Sequence, residues 1–288
     1  MDNILELKNV SKEFGESGFT LNDISFSLPY GAIMGYVGEN GAGKTTTIGC
    51  ILNTLSKDNG TITIFGKEMS DNETELREDI GVVYDGDNFP GYLNAERLAE
   101  VMRGLYKQWD GNLFQKYLND FKLNRKQKIK TYSKGMAMKL AIAAALSHKP
   151  KLLILDEATS GLDPIMREEV LEVFLDFVQD EKHSVLLSSH ITSDLEKIAD
   201  YITFIHNGNI IFSAKKDNLI YHYGVMRCKS EQFANLDKTD ILAYRKKDYQ
   251  IDVLVADKGK AERKYKGIVI DTVSIDEIML LLVKGDKA

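Results

Sequence analysis

Along the first third of the chain, apolar residues fall in short alternating or unbroken runs at 4–7, 21–28, 33–37, 62–65 and 80–84, separated by Gly, Asn and Asp. That period and punctuation predict strands joined by turns. Between 94 and 123 the spacing becomes helical. Leu98, Val101, Met102 and Leu105 form one stripe, and Leu113, Phe114, Tyr117, Leu118 and Phe121 another, so a helical insertion is expected. Residues 138–146 read as an apolar helix, and 152–155, after Pro150, as the aliphatic run of a parallel strand buried on both faces. Asp163-Pro164 is a helix start, with Asp as N-cap and Pro at the first helical position, ahead of Val170, Phe174, Phe177 and Val178. Residues 184–188 return to strand and 193–199 to helix, and 201–212 read as a hairpin around Asn207-Gly208. Strands alternating with helices predict an α/β fold with a largely parallel sheet. After about Asn218 charged, alternating runs at 244–255 and 264–273 and a short amphipathic helix at 274–283 suggest a small α+β appendage.

Composition narrows the classes. A chain of 288 residues that is 43% hydrophobic can bury the core of one large or two modest domains. Lys and Arg number 37 against 43 Asp and Glu, which leaves no general cationic excess for neutralising phosphate backbones and argues against nucleic acid as a partner. Cys50 and Cys228 are far apart and lack metal-ligand neighbours, so a reducing compartment is expected rather than a disulfide framework or zinc site. The start of the chain lacks a signal-peptide pattern, and the apolar stretches near 140–146 and 278–283 are too short to span a bilayer. A cytoplasmic protein is expected, with any membrane role supplied through a partner.

The chemistry concentrates in two places. Gly38-Glu39-Asn40-Gly41-Ala42-Gly43-Lys44-Thr45 fits G-x-x-x-x-G-K-[ST] without mismatch and lies between a predicted strand and a predicted helix. In such a loop the glycines turn backbone N–H groups toward phosphate oxygens and the helix N-terminus adds partial positive charge. Lys44 would reach the β- and γ-phosphates, and the Thr45 hydroxyl would face Mg²⁺. The second place is Leu152-Leu153-Ile154-Leu155-Asp156-Glu157, a buried strand ending in two carboxylates. Strand alternation parts them, so Asp156 can address Mg²⁺ and Glu157 an attacking water. A guanine-reading [NT]-K-x-D is missing; the nearest string, Asp237-Lys238-Thr239-Asp240, is wrong at its first position and sits in the appendage. Adenine is the expected base.

Between these elements stands Thr131-Tyr132-Ser133-Lys134-Gly135-Met136, followed later by Ser160-Gly161-Leu162-Asp163 and Ser188-Ser189-His190. This ordered series, over roughly residues 5–212, resembles the nucleotide-binding subunit of ATP-binding cassette (ABC) transporters, in particular bacterial export-type cassettes. The resemblance implies a P-loop cassette with a mostly parallel core sheet, an N-terminal antiparallel β part and a helical insertion. It gives an ATP-binding domain over 1–217, with a helical subdomain at about 86–148, and an accessory domain over 218–288. It implies nucleotide contacts from Phe14, stacked on adenine, from Gly38, Glu39, Asn40, Gly41, Ala42, Gly43, Lys44, Thr45 and Thr46, and from Ser133 and Gly135 of the opposite subunit. Glu157 resembles the catalytic base and His190 the histidine that contacts the γ-phosphate. Asp163 would lie at the dimer interface with Ser133 and Gly135.

Two departures stand out. The family pattern Leu-Ser-Gly-Gly-Gln is here Tyr132-Ser133-Lys134-Gly135-Met136, and Asp85 occupies a position where the family has glutamine, as a third candidate metal contact with Thr45 and Asp156. The function so implied is an ATPase, using ATP and Mg²⁺, that dimerises with a second ATP-binding subunit and powers a separate multi-span permease from the inner face of the membrane. The segment 88–97, with Phe89, Tyr92 and Leu93, is where the resemblance places the permease contact. Two rivals remain: a soluble cassette ATPase of DNA repair or translation, disfavoured by the single cassette and short insertion, and a nucleotide-sensing regulator, disfavoured by the presence of Glu157 and His190.

Overall fold

The computed structural model describes residues 2–15, 18–70 and 73–287. In chain order its strands and helices begin with β1 (Asn3–Phe14), β2 (Phe19–Pro29), β3 (Ile33–Val37), α1 (Lys44–Ile51), β4 (Asn59–Ile64), β5 (Lys67–Glu68), α2 (Thr74–Glu78) and β6 (Ile80–Val83). A helical stretch follows, α3 (Ala95–Leu105), α4 (Gly111–Asp120) and α5 (Lys134–Ser147). The chain then returns to alternation with β7 (Leu152–Asp156), α6 (Pro164–Phe177), β8 (Ser184–Ser189), α7 (Thr192–Ile198), β9 (Tyr201–His206) and β10 (Asn209–Lys215). The last portion holds α8 (Lys216–His222), β11 (Gly224–Cys228), α9 (Ser230–Ala234), β12 (Ala243–Lys246), β13 (Ile251–Val255), α10 (Lys258–Lys264), β14 (Val269–Asp271) and α11 (Ile275–Lys284).

The central sheet has the order β10-β9-β3-β8-β7-β6, parallel except for the β9–β10 hairpin. All its strands but the half-exposed edge strand β10 are largely buried on both faces, and alternation divides their side chains between two cores. Leu153, Leu155, Val185 and Leu187 face α3 to α7, whereas Leu152, Ile154 and Leu186 face α1 and an antiparallel sheet, β2-β1-β4-β5. Beyond Lys139, helix α5 is apolar on every side up to Ser147 because it is enclosed. Ala141, Ala143, Ala144 and Ala145 are all buried, and their small size lets the sheet approach from one side and α3 and α4 from the other. The hairpin turn matches its sequence cue, since Asn207 (φ 46°) and Gly208 (φ 71°) both adopt the left-handed conformation of a type I′ turn.

Three local expectations need correction. β1 runs to Phe14 rather than ending at residue 7, because Asn9 (φ 50°) absorbs a bulge and the strand resumes pairing beyond it. The buried face of α3 is Ala95, Leu98, Ala99 and Met102; Val101 and Leu105 point to solvent, so the helical period was right and the stripe rotated by one position. The run 264–273 is not one strand: Lys264 closes α10, and only Val269–Asp271 pairs, as β14.

The C-terminal portion forms its own antiparallel sheet, β12-β13-β11-β14. Met226, Val253 and Val255 close a small core with Ala261, while Val225 and Leu254, on the opposite face, join Ile275, Ile278 and Leu281 of α11 in the same apolar cluster as Phe204 and Leu195. The Ile275 N–H donates to Glu196 of α7 at 2.9 Å. Among the described residues no helix is long and apolar enough to cross a membrane.

One buried histidine carries a pH dependence. His148, just past α5, is 1% exposed, stacks on Tyr106 with ring centroids 4.0 Å apart, and has Nε2 at 3.1 Å from the Ile80 carbonyl. Burial holds its imidazole below the ordinary histidine range, although the carbonyl favours the charged form. The folded state therefore prefers neutral His148, while the unfolded chain takes up a proton near pH 6.5, so this contribution is complete above that pH and is lost below it. The urea midpoint should fall between about pH 7.5 and about pH 5.5, and fall less in His148→Gln. Equal falls in the two proteins would remove His148 from the acid response.

Candidate nucleotide site

The loop between β3 and α1 leaves little room for side chains. A Cβ on Gly38 would lie 2.5 Å from the Ile205 carbonyl oxygen, and one on Gly43 (φ 114°) would lie 2.6 Å from Leu21 Cδ2. Close approach at the first glycine and a left-handed backbone at the second therefore require glycine. The loop is also tied from outside, with the Gly208 N–H donating to the Ala42 carbonyl at 3.0 Å. Lys44, the first residue of α1, is buried and arches back over the loop, donating from Nζ to the Gly38 carbonyl at 2.7 Å and to that of Glu39 at 3.3 Å. The same ammonium lies 3.1 Å from Glu157 Oε1, an ion pair whose angle falls outside hydrogen-bond geometry.

β7 and β8 supply the other wall. Their parallel register sets Asp156 opposite Ser188. The Ser188 hydroxyl donates to Asp156 Oδ1 at 2.5 Å and the Thr45 hydroxyl donates to Oδ2 at 2.8 Å, so the carboxylate is fixed beside the first turn of α1. One residue later the chain turns sharply. Glu157 has φ 54°, unusual for a non-glycine residue, and its N–H is held by the Ser188 carbonyl (3.1 Å) and the Ser188 hydroxyl (3.2 Å). The turn separates the two carboxylates: Asp156 meets Thr45 and Ser188, whereas Glu157 meets Lys44 on one oxygen and His190 Nδ1, at 2.7 Å, on the other.

Gly43, Lys44, Thr45, Asp156 and Glu157 open onto a cleft of about 690 Å³ that also takes in Asn40, Gly41, Thr46, Phe19, Tyr84 and Asp85. Burial, and then the nearby Asp156 carboxylate, push the Tyr84 phenol above its usual range, so it faces the cleft as a neutral hydroxyl. Phe14 does not line this space; it stands beside Phe19, with centroids 6.3 Å apart, and has the Lys12 ammonium 5.8 Å from its ring centroid. Gly38 and Glu39 border a smaller cavity of about 240 Å³ together with His190, whose far wall is α11, through Asp276, Met279 and Lys284.

Ser133 and Gly135 are not brought to the Lys44 cleft. Ser133 caps α5, accepting from the Met136 N–H at 3.2 Å, and a Cβ on Gly135 would run into Met166. Asp163 caps α6, accepting from the Ile165 and Met166 N–H groups at 3.1 Å. Asp85 is on the cleft rim and pairs with Lys134 at 2.8 Å. Sequence reasoning missed Tyr84 and Phe19 as parts of the site, and named Ser188 only within Ser188-Ser189-His190 without a role. Ser188 earns its place only through the register opposite Asp156, which no local pattern encodes.

The donor set suits a magnesium nucleotide. Among the described residues no three His, Cys, Asp or Glu side chains gather to hold a metal alone. The adjacent Thr45 hydroxyl and Asp156 carboxylate instead offer the two hard oxygens that Mg²⁺ needs when phosphates and water supply the rest.

Known proteins resemble this chain over about three quarters of its length. The family profile described as ABC transporter matches residues 21–160. The bacitracin transport ATP-binding protein BcrA of Enterococcus faecalis is 34% identical over 217 residues, covering 73% of this chain and 69% of that protein. The lantibiotic transport ATP-binding protein SrtF of Streptococcus pyogenes is 34% identical over 216 residues, covering 74% of this chain and 92% of that one. A solved structure of the ATP binding subunit of an ABC transporter superposes with a TM-score of 0.67 at 27% identity, over 75% of this chain and 91% of its own. Relatives of this length and likeness, joined to a phosphate loop facing two fixed carboxylates, show that the chain belongs to the ABC transporter family as an ATP-hydrolysing subunit.

Proposed function

We propose that the chain hydrolyses Mg–ATP in the 690 Å³ cleft, with Glu157 as general base, and so drives a separate multi-span permease, in the export direction, by closing against a second ATP-binding subunit. One observation carries the reading: Glu157 stands between Lys44 and His190 and lines the same cleft as the Thr45–Asp156 pair. An arriving triphosphate competes with Glu157 for the Lys44 ammonium, which frees Oε1 to accept a proton. A water oxygen then attacks the γ-phosphorus, its proton passes to Glu157, and the bond from that phosphorus to the β–γ bridging oxygen breaks, leaving ADP and inorganic phosphate. Mg²⁺, held through Thr45 and Asp156 with Asp85 nearby, would neutralise phosphate charge. His190 would keep Glu157 aimed and contact the γ-phosphate.

Ser133 and Gly135, at the N-terminus of α5, do not line this chain's own Lys44 cleft, which fits donation to the nucleotide of a second subunit. Asp163, close in sequence to the Glu157 turn, would lie at the same junction. In this assignment residues 1–217 form the cassette, with its helical part at about 86–148, and 218–288 an accessory domain. The cassette would be held at the inner face of the membrane by the permease. Closure drives transport because γ-phosphate contacts made to both subunits are lost in ADP, and that difference in affinity shifts the open–closed equilibrium.

Two measurements check this. Glu157→Gln should lower the hydrolysis rate by about 10²–10⁴-fold while ATP still drives association of two subunits in gel filtration; turnover near the parent rate would remove Glu157 as the base. Phe14→Ala and Phe19→Ala should each weaken nucleotide binding, by up to about 1–3 kcal/mol for the ring that stacks on the base, with equal losses for ATP and GTP because stacking ignores base edges. Parent-like binding by Phe14→Ala beside a loss in Phe19→Ala would move the stack to Phe19.

A further inference from the structure

Lys134 is the first residue of α5, where the helix dipole presents partial positive charge and a cation is disfavoured. The structure shows what it does there. Its ammonium lies 2.8 Å from Asp85 Oδ1, across the gap between the start of α5 and the loop after β6. Its stem lies over Gly161: a Cβ on that glycine would be 3.3 Å from Lys134 Cδ and 3.2 Å from Nζ and would press on the Lys134 chain, while the left-handed backbone (φ 71°) itself favours glycine. Two of the positions at which the sequence departs from the family pattern, Lys134 and Asp85, therefore face each other, with the glycine of Ser160-Gly161-Leu162-Asp163 against the Lys134 stem.

Each end of this contact leads to the nucleotide chemistry. Asp85 is on the rim of the cleft that holds Lys44, Thr45, Asp156 and Glu157. Its loop is braced by Asn88, which accepts from the Tyr84 N–H at 2.9 Å and donates to the Tyr84 carbonyl at 2.8 Å. The other end is the residue after Ser133, at the helix terminus assigned above to a second subunit's nucleotide. Gly161 lies between the Glu157 turn and the Asp163 cap.

We propose that Lys134 is a positioning residue that joins the two nucleotide sites touched by one subunit, with Asp85 and Gly161 as its anchors. A polyanion entering the cleft interacts with the Asp85 carboxylate, and the Lys134 charge paired to that carboxylate carries the change to the first turn of α5, where Ser133 sits. The pair differs in energy between empty and filled clefts, which is the condition for coupling. This rests on the two-subunit reading.

The test uses the full chain in a Glu157→Gln background. Lys134→Gln should raise the ATP concentration for half-maximal association by about two- to fivefold, the range of a half-exposed ion pair, and Lys134→Arg should restore it. Adding Asp85→Asn to Lys134→Gln should cost no more than the larger single change. In the single subunit, ATP should slow hydrogen exchange at the amides of residues 134–137, and Lys134→Gln should abolish that slowing while the urea midpoint stays level or rises, since a cation has left a helix N-terminus. Lys134→Gln indistinguishable from its parent in both association and exchange, or effects of the two substitutions that simply multiply, would overturn the proposal. A parent that never associates with ATP, yet transmits the exchange change through Lys134, would overturn the two-subunit reading and leave the link intact.

Discussion

The site depends on the parallel register of β3, β8 and β7. Val37 pairs with Ser189 and Asp156 with Ser188, so three strands end in one row and their next residues share one crevice. From β3 comes the phosphate loop, from β7 the two carboxylates, and from β8 the serine that fixes Asp156 and the histidine that meets Glu157. Crevices at the carboxyl ends of parallel strands are the usual ligand sites of such sheets. A slip of one residue in β7 would turn Asp156 to the other face and undo both carboxylate placements.

Within that frame the chain spends local strain on one residue. A left-handed backbone at Glu157, costing about 1–3 kcal/mol for a non-glycine side chain, is held by two hydrogen bonds to Ser188. What the strain achieves is separation. Two neighbouring carboxylates would repel if both faced one partner; the turn sends one to the Thr45 and Ser188 hydroxyls and the other to a cation and an imidazole.

The C-terminal portion is bound to the same machinery through packing. Arg227 of β11 pairs with Asp252, Asp271 and Glu277, joining two neighbouring strands and α11 through one guanidinium, and these carboxylates raise its already high pKa despite partial burial. Helix α11 then lies against Phe204 and α7, the helix that follows His190. Cys50 and Cys228 are both buried, and burial pushes the Cys228 thiol up to about 11, so neither is a ready nucleophile.

Much of this molecule was legible in its sequence, because the relevant signals are local. The phosphate loop, the Ser133 and Asp163 caps, the Asn207-Gly208 turn and the doubly buried run of β7 each follow from steric or hydrogen-bonding demands met within a few residues. Contacts between distant residues were not legible. Ser188 beside Asp156, Glu157 between Lys44 and His190, the rotation of the α3 stripe away from Val101 and Leu105, and the pairing of Asp85 with Lys134 depend on which segments the sheet and helices bring together. The chain by itself set the chemical groups and their local backbone. Tertiary packing decided which groups neutralise one another, because the energy of a charge or a buried polar atom is fixed by its neighbours in space.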